Sequence, residues 1–232
     1  YQRAYDQVIH DVAMQNLPVI MCVDRAGCVG ADGETHQGTL DMAFFRLVPN
    51  LTIMAPKDFK ELEDMLEFAV KLNKPVIIRY PRGGEDSKIK FERQEDIELG
   101  KAEVLKKIID EEKSSKTKIL QKIGDKVFNN KTQRKRVTII AIGKMVARAM
   151  DIGQKLQEKM DVEVINARFL KPLDNNTIIE SIKKTKNVIT IEDGTIINGL
   201  ATAVKELIVN NNLQGVKIKS YAYPDEFIKH GS

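Results

Sequence analysis

The sequence lacks the features of a membrane, secreted or disulfide-bonded protein. It contains no run of 18 or more apolar residues, so it predicts no transmembrane helix and no membrane partner. The opening string Y-Q-R-A-Y-D has no apolar stretch of the kind a secretory signal carries, and it has no initiator Met, so we expect the chain to begin inside a longer protein. The two cysteines, Cys22 and Cys28, show no metal-ligand spacing, which favours a reducing compartment. We therefore expect a cytoplasmic protein.

The motifs of the common nucleotide-binding and hydrolytic folds are also missing. There is no P-loop, no G-x-G-x-x-G after a predicted strand, no H-E-x-x-H and no G-x-S-x-G. The sequence therefore gives no sign of a classical nucleotide fold, a zinc protease or an α/β-hydrolase.

Aromatic residues are scarce where the positive charge is concentrated. Residues 106–136 hold eleven Lys/Arg against four Asp/Glu, with Phe128 as the one aromatic, and the whole chain has a formal net charge of +4. A nucleic-acid-binding face combines basic residues with aromatic or groove-reading side chains. We interpret this segment as a solvated insertion and expect no nucleic-acid partner.

Buried strands and amphipathic helices alternate on both sides of that insertion. Apolar runs of strand length occur at residues 18–24, 51–55, 75–80, 137–143, 162–167, 187–192 and 216–221. Helical periodicity lies between them, and Asp58 and Asp174 are typical N-caps for two of the helices. The pattern predicts an α/β protein with two parallel or mostly parallel sheets. We place the first domain at 1–84, a linker with the basic insertion at 85–136, and the second domain at 137–232.

A glycine-rich loop follows the first predicted strand. It carries Arg25, Asp32 and His36 among four glycines that let the backbone turn tightly: Gly27, Gly30, Gly33 and Gly38. Loops at the carboxyl ends of strands are where α/β proteins usually place chemistry. The structural alternative is a surface ion pair for Arg25 and a structural role for His36. A second arginine, Arg82, follows the third predicted strand.

Several strings of the chain resemble one enzyme family. Residues 24–38 read D-R-A-G-C-V-G-A-D-G-E-T-H-Q-G, and further strings are Q-R-A-Y-D-Q at 2–7, R-Y-P-R-G at 79–83, R-F-L-K-P-L-D at 168–174 and P-D at 224–225. Together they resemble the 1-deoxy-D-xylulose-5-phosphate synthases, which are thiamine-diphosphate enzymes of the transketolase superfamily. The resemblance covers most of the chain. It implies the second half of a pyrimidine-binding domain at 1–84 and a transketolase C-terminal domain at 137–232.

The resemblance implies a specific reaction. The family joins pyruvate to glyceraldehyde 3-phosphate with loss of carbon dioxide, and the product feeds isoprenoid, thiamine and pyridoxal synthesis. The family also implies thiamine diphosphate and Mg²⁺ as cofactors and a homodimer as the assembly. The domain that holds the diphosphate and metal, and the glutamate that activates the aminopyrimidine, are absent from this sequence. We therefore expect the chain to need the missing N-terminal domain and to be inactive alone.

Each candidate site residue receives a role from this resemblance and from its chemistry. Arg25 and Arg82 match the family's substrate-phosphate arginines, and the forked guanidinium suits a phosphate dianion. His36 is the candidate for proton transfer near neutral pH, with Asp32 orienting it or binding a substrate hydroxyl. Arg3 is placed toward the cofactor, with a structural ion pair as the alternative.

Two other functional interpretations stay open. The chain resembles in outline the C-terminal subunit of a split transketolase or the β subunit of a 2-oxoacid dehydrogenase, both of which lack the N-terminal domain. The other interpretation is a non-catalytic dimerisation or interaction module.

Overall fold

The structure is a computed structural model that describes residues 1–85, 89–91, 96–108 and 134–231. Most of the basic insertion predicted at 106–136 lies outside the described residues. In the described part of the chain, no helix is long and apolar enough to cross a membrane.

Nine strands form two sheets in the described part of the chain. They are β1 (Ile20–Val23), β2 (Thr52–Met54), β3 (Val76–Arg79), β4 (Glu103–Lys106), β5 (Arg136–Ala141), β6 (Asp161–Asn166), β7 (Phe169–Lys171), β8 (Asn187–Thr195) and β9 (Lys217–Tyr223). The helices are α1 (Tyr5–Gln7), α2 (Asp41–Arg46), α3 (Phe59–Leu72), α4 (Met145–Leu156), α5 (Asn175–Thr185) and α6 (Leu200–Asn210). The N-terminal helix predicted over 2–15 is a mixed helical run, with a 3₁₀ turn at Gln2–Ala4 before α1 and a π-helix at Val8–Ala13 after it.

Both sheets are mostly parallel, which confirms the predicted α/β class. The first sheet has the order β1-β3-β2-β7, and only β7 runs antiparallel to its neighbour. The second has the order β4-β6-β5-β8-β9, with β4 as the antiparallel edge. Strand β5 lies at the centre of the second sheet, and residues 137–141 of it are fully buried, as its β-branched run predicts.

The predicted helix caps are confirmed. The Asp58 carboxylate accepts a hydrogen bond from the Glu61 backbone N–H at 2.7 Å, and α3 ends at Asn73 in the left-handed region with φ of +53°. The Asp174 carboxylate accepts a hydrogen bond from the Thr177 N–H at 3.0 Å and so caps the N-terminus of α5. These side chains set where two of the helices start.

The segment 168–174 lies directly before α5, and the apolar runs predict no strand there. The structure places part of it in β7, where Phe169 pairs with Met54 and Lys171 pairs with Ile53. The three-residue strand is too short to show an alternating pattern, so periodicity could not identify it. Through β7, the C-terminal half of the chain contributes one edge strand to the first sheet.

A buried polar network also joins the two sheets. The Glu61 carboxylate accepts from Asn166 Nδ2 at 2.9 Å and from Arg168 Nε at 2.8 Å, and Lys57 Nζ lies 3.2 Å from it. Glu103 on β4 contacts Lys57 at 3.1 Å and Arg168 at 3.2 Å. Two cations and two carboxylates therefore neutralise one another, which is the condition under which buried charges are tolerated.

Candidate functional site

The glycine-rich loop is closed at its neck by backbone hydrogen bonds. Gly27 and Gly38 exchange two N–H···O bonds of 2.8 Å each. A Cβ on Gly38 would lie 2.2 Å from the Arg25 carbonyl oxygen, and Gly27 has φ of +78°. Both positions therefore need glycine. The loop inside the neck is braced by Gln37, whose Oε1 accepts from the Val29 N–H at 2.7 Å.

Arg25, Asp32 and Arg82 form one cluster. Asp32 ends a short 3₁₀ turn, Gly30–Asp32, and its carboxylate accepts from Arg25 Nη1 at 2.7 Å and from Arg82 Nη1 at 3.1 Å. The Asp32 side chain is 8% exposed, whereas those of Arg25 and Arg82 are 44% and 56% exposed. The loops after β1 and β3, which pair in parallel, bring the two arginines together. The cluster has a net charge of +1 with both guanidinium groups open to solvent.

His36 and Arg3 line a second feature, a cleft of about 550 Å³. The other lining residues include aromatic, apolar and acidic side chains: Tyr1, Asp24, Leu40, Asp41 and Phe44. The His36 ring contacts the Thr35 hydroxyl through Nδ1 at 2.8 Å. The His36 ring therefore contacts a hydroxyl, and the Asp32 carboxylate contacts the two arginines. The roles expected of Asp32, orienting His36 or binding a substrate hydroxyl, stay predictions.

A buried charge cluster beneath the loop was not assigned from the sequence. Arg79, at the end of β3, donates from Nε to Asp41 at 2.8 Å, from Nη1 to Asp193, and from Nη2 to the Gly38 carbonyl at 2.9 Å. Burial alone would lower the pKa of Arg79, but the two carboxylates raise it above its usual value, so the guanidinium stays charged. A charged residue on a strand that is otherwise apolar was the available signal, because a buried charge requires a partner.

Among the described residues, no group of three or more His, Cys, Asp or Glu side chains is placed to hold a metal ion.

Family models match both halves of the chain. Residues 1–84 match the transketolase pyrimidine binding domain, and residues 127–232 match the transketolase C-terminal domain. A solved structure described as a split gene transketolase, inactive beta4 tetramer, superposes with a TM-score of 0.76 at 25% identity, covering 97% of this chain and 64% of that chain. The chain belongs to the transketolase family.

Within that family, curated relatives that match the chain include 1-deoxy-D-xylulose-5-phosphate synthases. The relative from Halothermothrix orenii is 43% identical over 99% of this chain, and those from Desulfotalea psychrophila and Clostridium tetani are 42% and 40% identical over 100% and 99%. These matches confirm the resemblance inferred from the sequence. The chain spans about a third of the length of these relatives, 32%, 32% and 33% respectively.

Proposed function

We propose that this chain is the substrate-phosphate half of the active site of a 1-deoxy-D-xylulose-5-phosphate synthase. The observation that carries the proposal is the cluster of Arg25, Asp32 and Arg82 on the loops after two paired strands. The substrates are pyruvate and glyceraldehyde 3-phosphate. The remaining part of the site belongs to the N-terminal domain, which this sequence does not contain.

The chemistry of the cluster suits a phosphate dianion. A guanidinium donates two parallel hydrogen bonds to phosphate oxygens and stays charged at every physiological pH. The Asp32 carboxylate holds Arg25 and Arg82 close together before substrate binds and offsets part of their mutual repulsion. Both side chains keep about half of their surface in solvent, so the phosphate reaches them without unfolding the loop.

His36 is the proposed proton-transfer group. Its side chain lines the cleft, and an imidazole can both accept and donate a proton. In this proposal the ring exchanges a proton with a substrate oxygen, and the Thr35 hydroxyl at 2.8 Å holds the orientation of the ring.

The cleft fits one part of thiamine diphosphate. Tyr1, Leu40 and Phe44 provide aromatic and apolar surface for a flat heteroaromatic ring, and Arg3 adds a donor at the same cleft. When bound, the cofactor supplies the electron sink for the decarboxylation of pyruvate. The described residues provide no acidic cluster for Mg²⁺, so we assign the metal and the diphosphate to the N-terminal domain. We also propose that the complete protein is a homodimer in the cytoplasm.

A second candidate function is that of a non-catalytic assembly subunit. It is favoured by the similarity to a solved split gene transketolase described as an inactive beta4 tetramer. In that case the arginine cluster binds no substrate.

The test is turnover by the complete protein encoded by the parent reading frame. Purified protein is supplied with pyruvate, glyceraldehyde 3-phosphate, thiamine diphosphate and Mg²⁺, and 1-deoxy-D-xylulose 5-phosphate is quantified by mass spectrometry. We expect product from the complete protein and none from residues 1–232 alone. Failure of the complete protein to form the product, with transketolase exchange activity present instead, would overturn the proposal.

A further inference from the structure

The buried Arg79 guanidinium connects three separate parts of the molecule. Its Nε donates to Asp41 at the start of α2, its Nη1 to the Asp193 carboxylate on β8, and its Nη2 to the Gly38 carbonyl at 2.9 Å and the Asp193 carbonyl at 3.2 Å. Arg79 and Asp193 are each 3% exposed. The guanidinium therefore fixes one end of the loop neck to a strand of the other sheet.

Asp193 also contacts the opposite end of the neck. A Cβ on Gly27 would lie 2.6 Å from Asp193 Oδ2, so this carboxylate packs directly against the Gly27 backbone. Because Gly27 and Gly38 are themselves hydrogen-bonded, Arg79 and Asp193 enclose both residues of the neck. The loop that carries Asp32 and His36 therefore starts and ends on a support supplied by both sheets.

The charges of this support are balanced. Two carboxylates, Asp41 and Asp193, face Arg79, and Lys144 Nζ lies 3.5 Å from Asp193 Oδ2. Removal of one carboxylate charge leaves an excess of buried positive charge, and the guanidinium then loses its fixed orientation. The Gly38 carbonyl is the contact through which that change reaches the loop.

We propose that Arg79 and Asp193 are positioning residues, through which the second sheet sets the placement of the glycine-rich loop and therefore of the Arg25–Asp32–Arg82 cluster. This inference rests on the proposed function for its kinetic consequence. Its structural consequence, the order of residues 27–38, can be measured without any activity.

The test compares Asp193→Asn with Glu163→Gln in the complete protein. Glu163 is a matched control because it is equally buried, pairs with Lys184 at 2.7 Å and lies on β6 of the same sheet. In Asp193→Asn we expect amide hydrogen exchange over 27–38 to rise about tenfold, because the neck hydrogen bonds open more often. The control should leave exchange in this peptide within about twofold of the wild type.

Steady-state kinetics supply the second measurement. Asp193→Asn should raise KM for glyceraldehyde 3-phosphate about tenfold and leave KM for pyruvate within about twofold, which general destabilisation does not produce. Arg79→Lys keeps the charge but loses the fork, so it should reproduce the effect if Asp193→Asn does not fold.

The two proposals fail in different ways. Unchanged exchange over 27–38 in a folded Asp193→Asn or Arg79→Lys protein would overturn the positioning role, whatever the activity. Raised exchange in a complete protein without synthase activity would support the positioning role and reject the proposed reaction.

Discussion

Arg82 provides a direct test of phosphate binding. Alanine at this position removes one of the two guanidinium groups held by Asp32 and leaves the loop backbone intact. A charge-assisted hydrogen bond contributes about 1.5–3 kcal/mol, and the 56% exposure of the Arg82 side chain places the loss near the lower value because solvent screens the charge. About 1.5 kcal/mol corresponds to an increase of roughly tenfold in KM for glyceraldehyde 3-phosphate.

The assay measures kcat/KM of the complete protein with glyceraldehyde 3-phosphate and with unphosphorylated glyceraldehyde. Arg82→Ala should lower kcat/KM for the phosphorylated aldehyde about tenfold and change that for glyceraldehyde less than about twofold. Arg134→Ala is the matched control, because Arg134 is 51% exposed and pairs with Asp161 on the surface. Equal losses with both aldehydes would refute the phosphate-binding role of Arg82.

Three further predictions concern stability. Gly38→Ala should lower the free energy of unfolding by about 1–3 kcal/mol in denaturant titrations, because its methyl would meet a backbone oxygen, whereas Gly84→Ala has open space and should change it little. Glu61→Gln removes a carboxylate charge from beside buried Lys57 and Arg168 and should lower the free energy of unfolding by about 3–5 kcal/mol. The exposed control Glu63→Gln should lower it by under about 0.5 kcal/mol. Equal losses for the two variants would contradict the buried network. Burial raises the pKa of Glu192, so the folded state holds its proton to a higher pH than the unfolded state does. The free energy of unfolding of the wild type, relative to Glu192→Gln, should therefore fall as pH rises from about 4. Parallel pH profiles for the two proteins would argue against this.

Much of the fold follows from local patterns. The apolar runs predict seven of the nine strands in the described part of the chain, all except β4 and β7. The two aspartate caps predict where α3 and α5 begin, because a cap depends on neighbours within one turn. The short strand β7 could not be predicted, since its pairing with β2 depends on residues far away in the sequence.

The candidate site also has one part that the sequence predicts and one part that it does not. The sequence places Arg25 and Arg82 in loops after two predicted strands, and the structure brings both to Asp32. The partnership of Arg79 with Asp193 joins residues 114 positions apart. The sequence shows that a buried arginine needs a carboxylate, but no local pattern selects which carboxylate it receives. The catalytic and binding roles of His36 and Arg3 remain predictions.

Strand β7 has a consequence for synthesis and for gene architecture. The edge of β2 stays open until Phe169–Lys171, more than 100 residues later, has left the ribosome, so the first sheet is completed late and by a contact of high sequence separation. A gene split between the two sheets would produce an N-terminal product with an unpaired strand edge, which is a template for aggregation. The N-terminal half therefore needs the three residues of β7, either in the same polypeptide or from a second chain that binds it quickly.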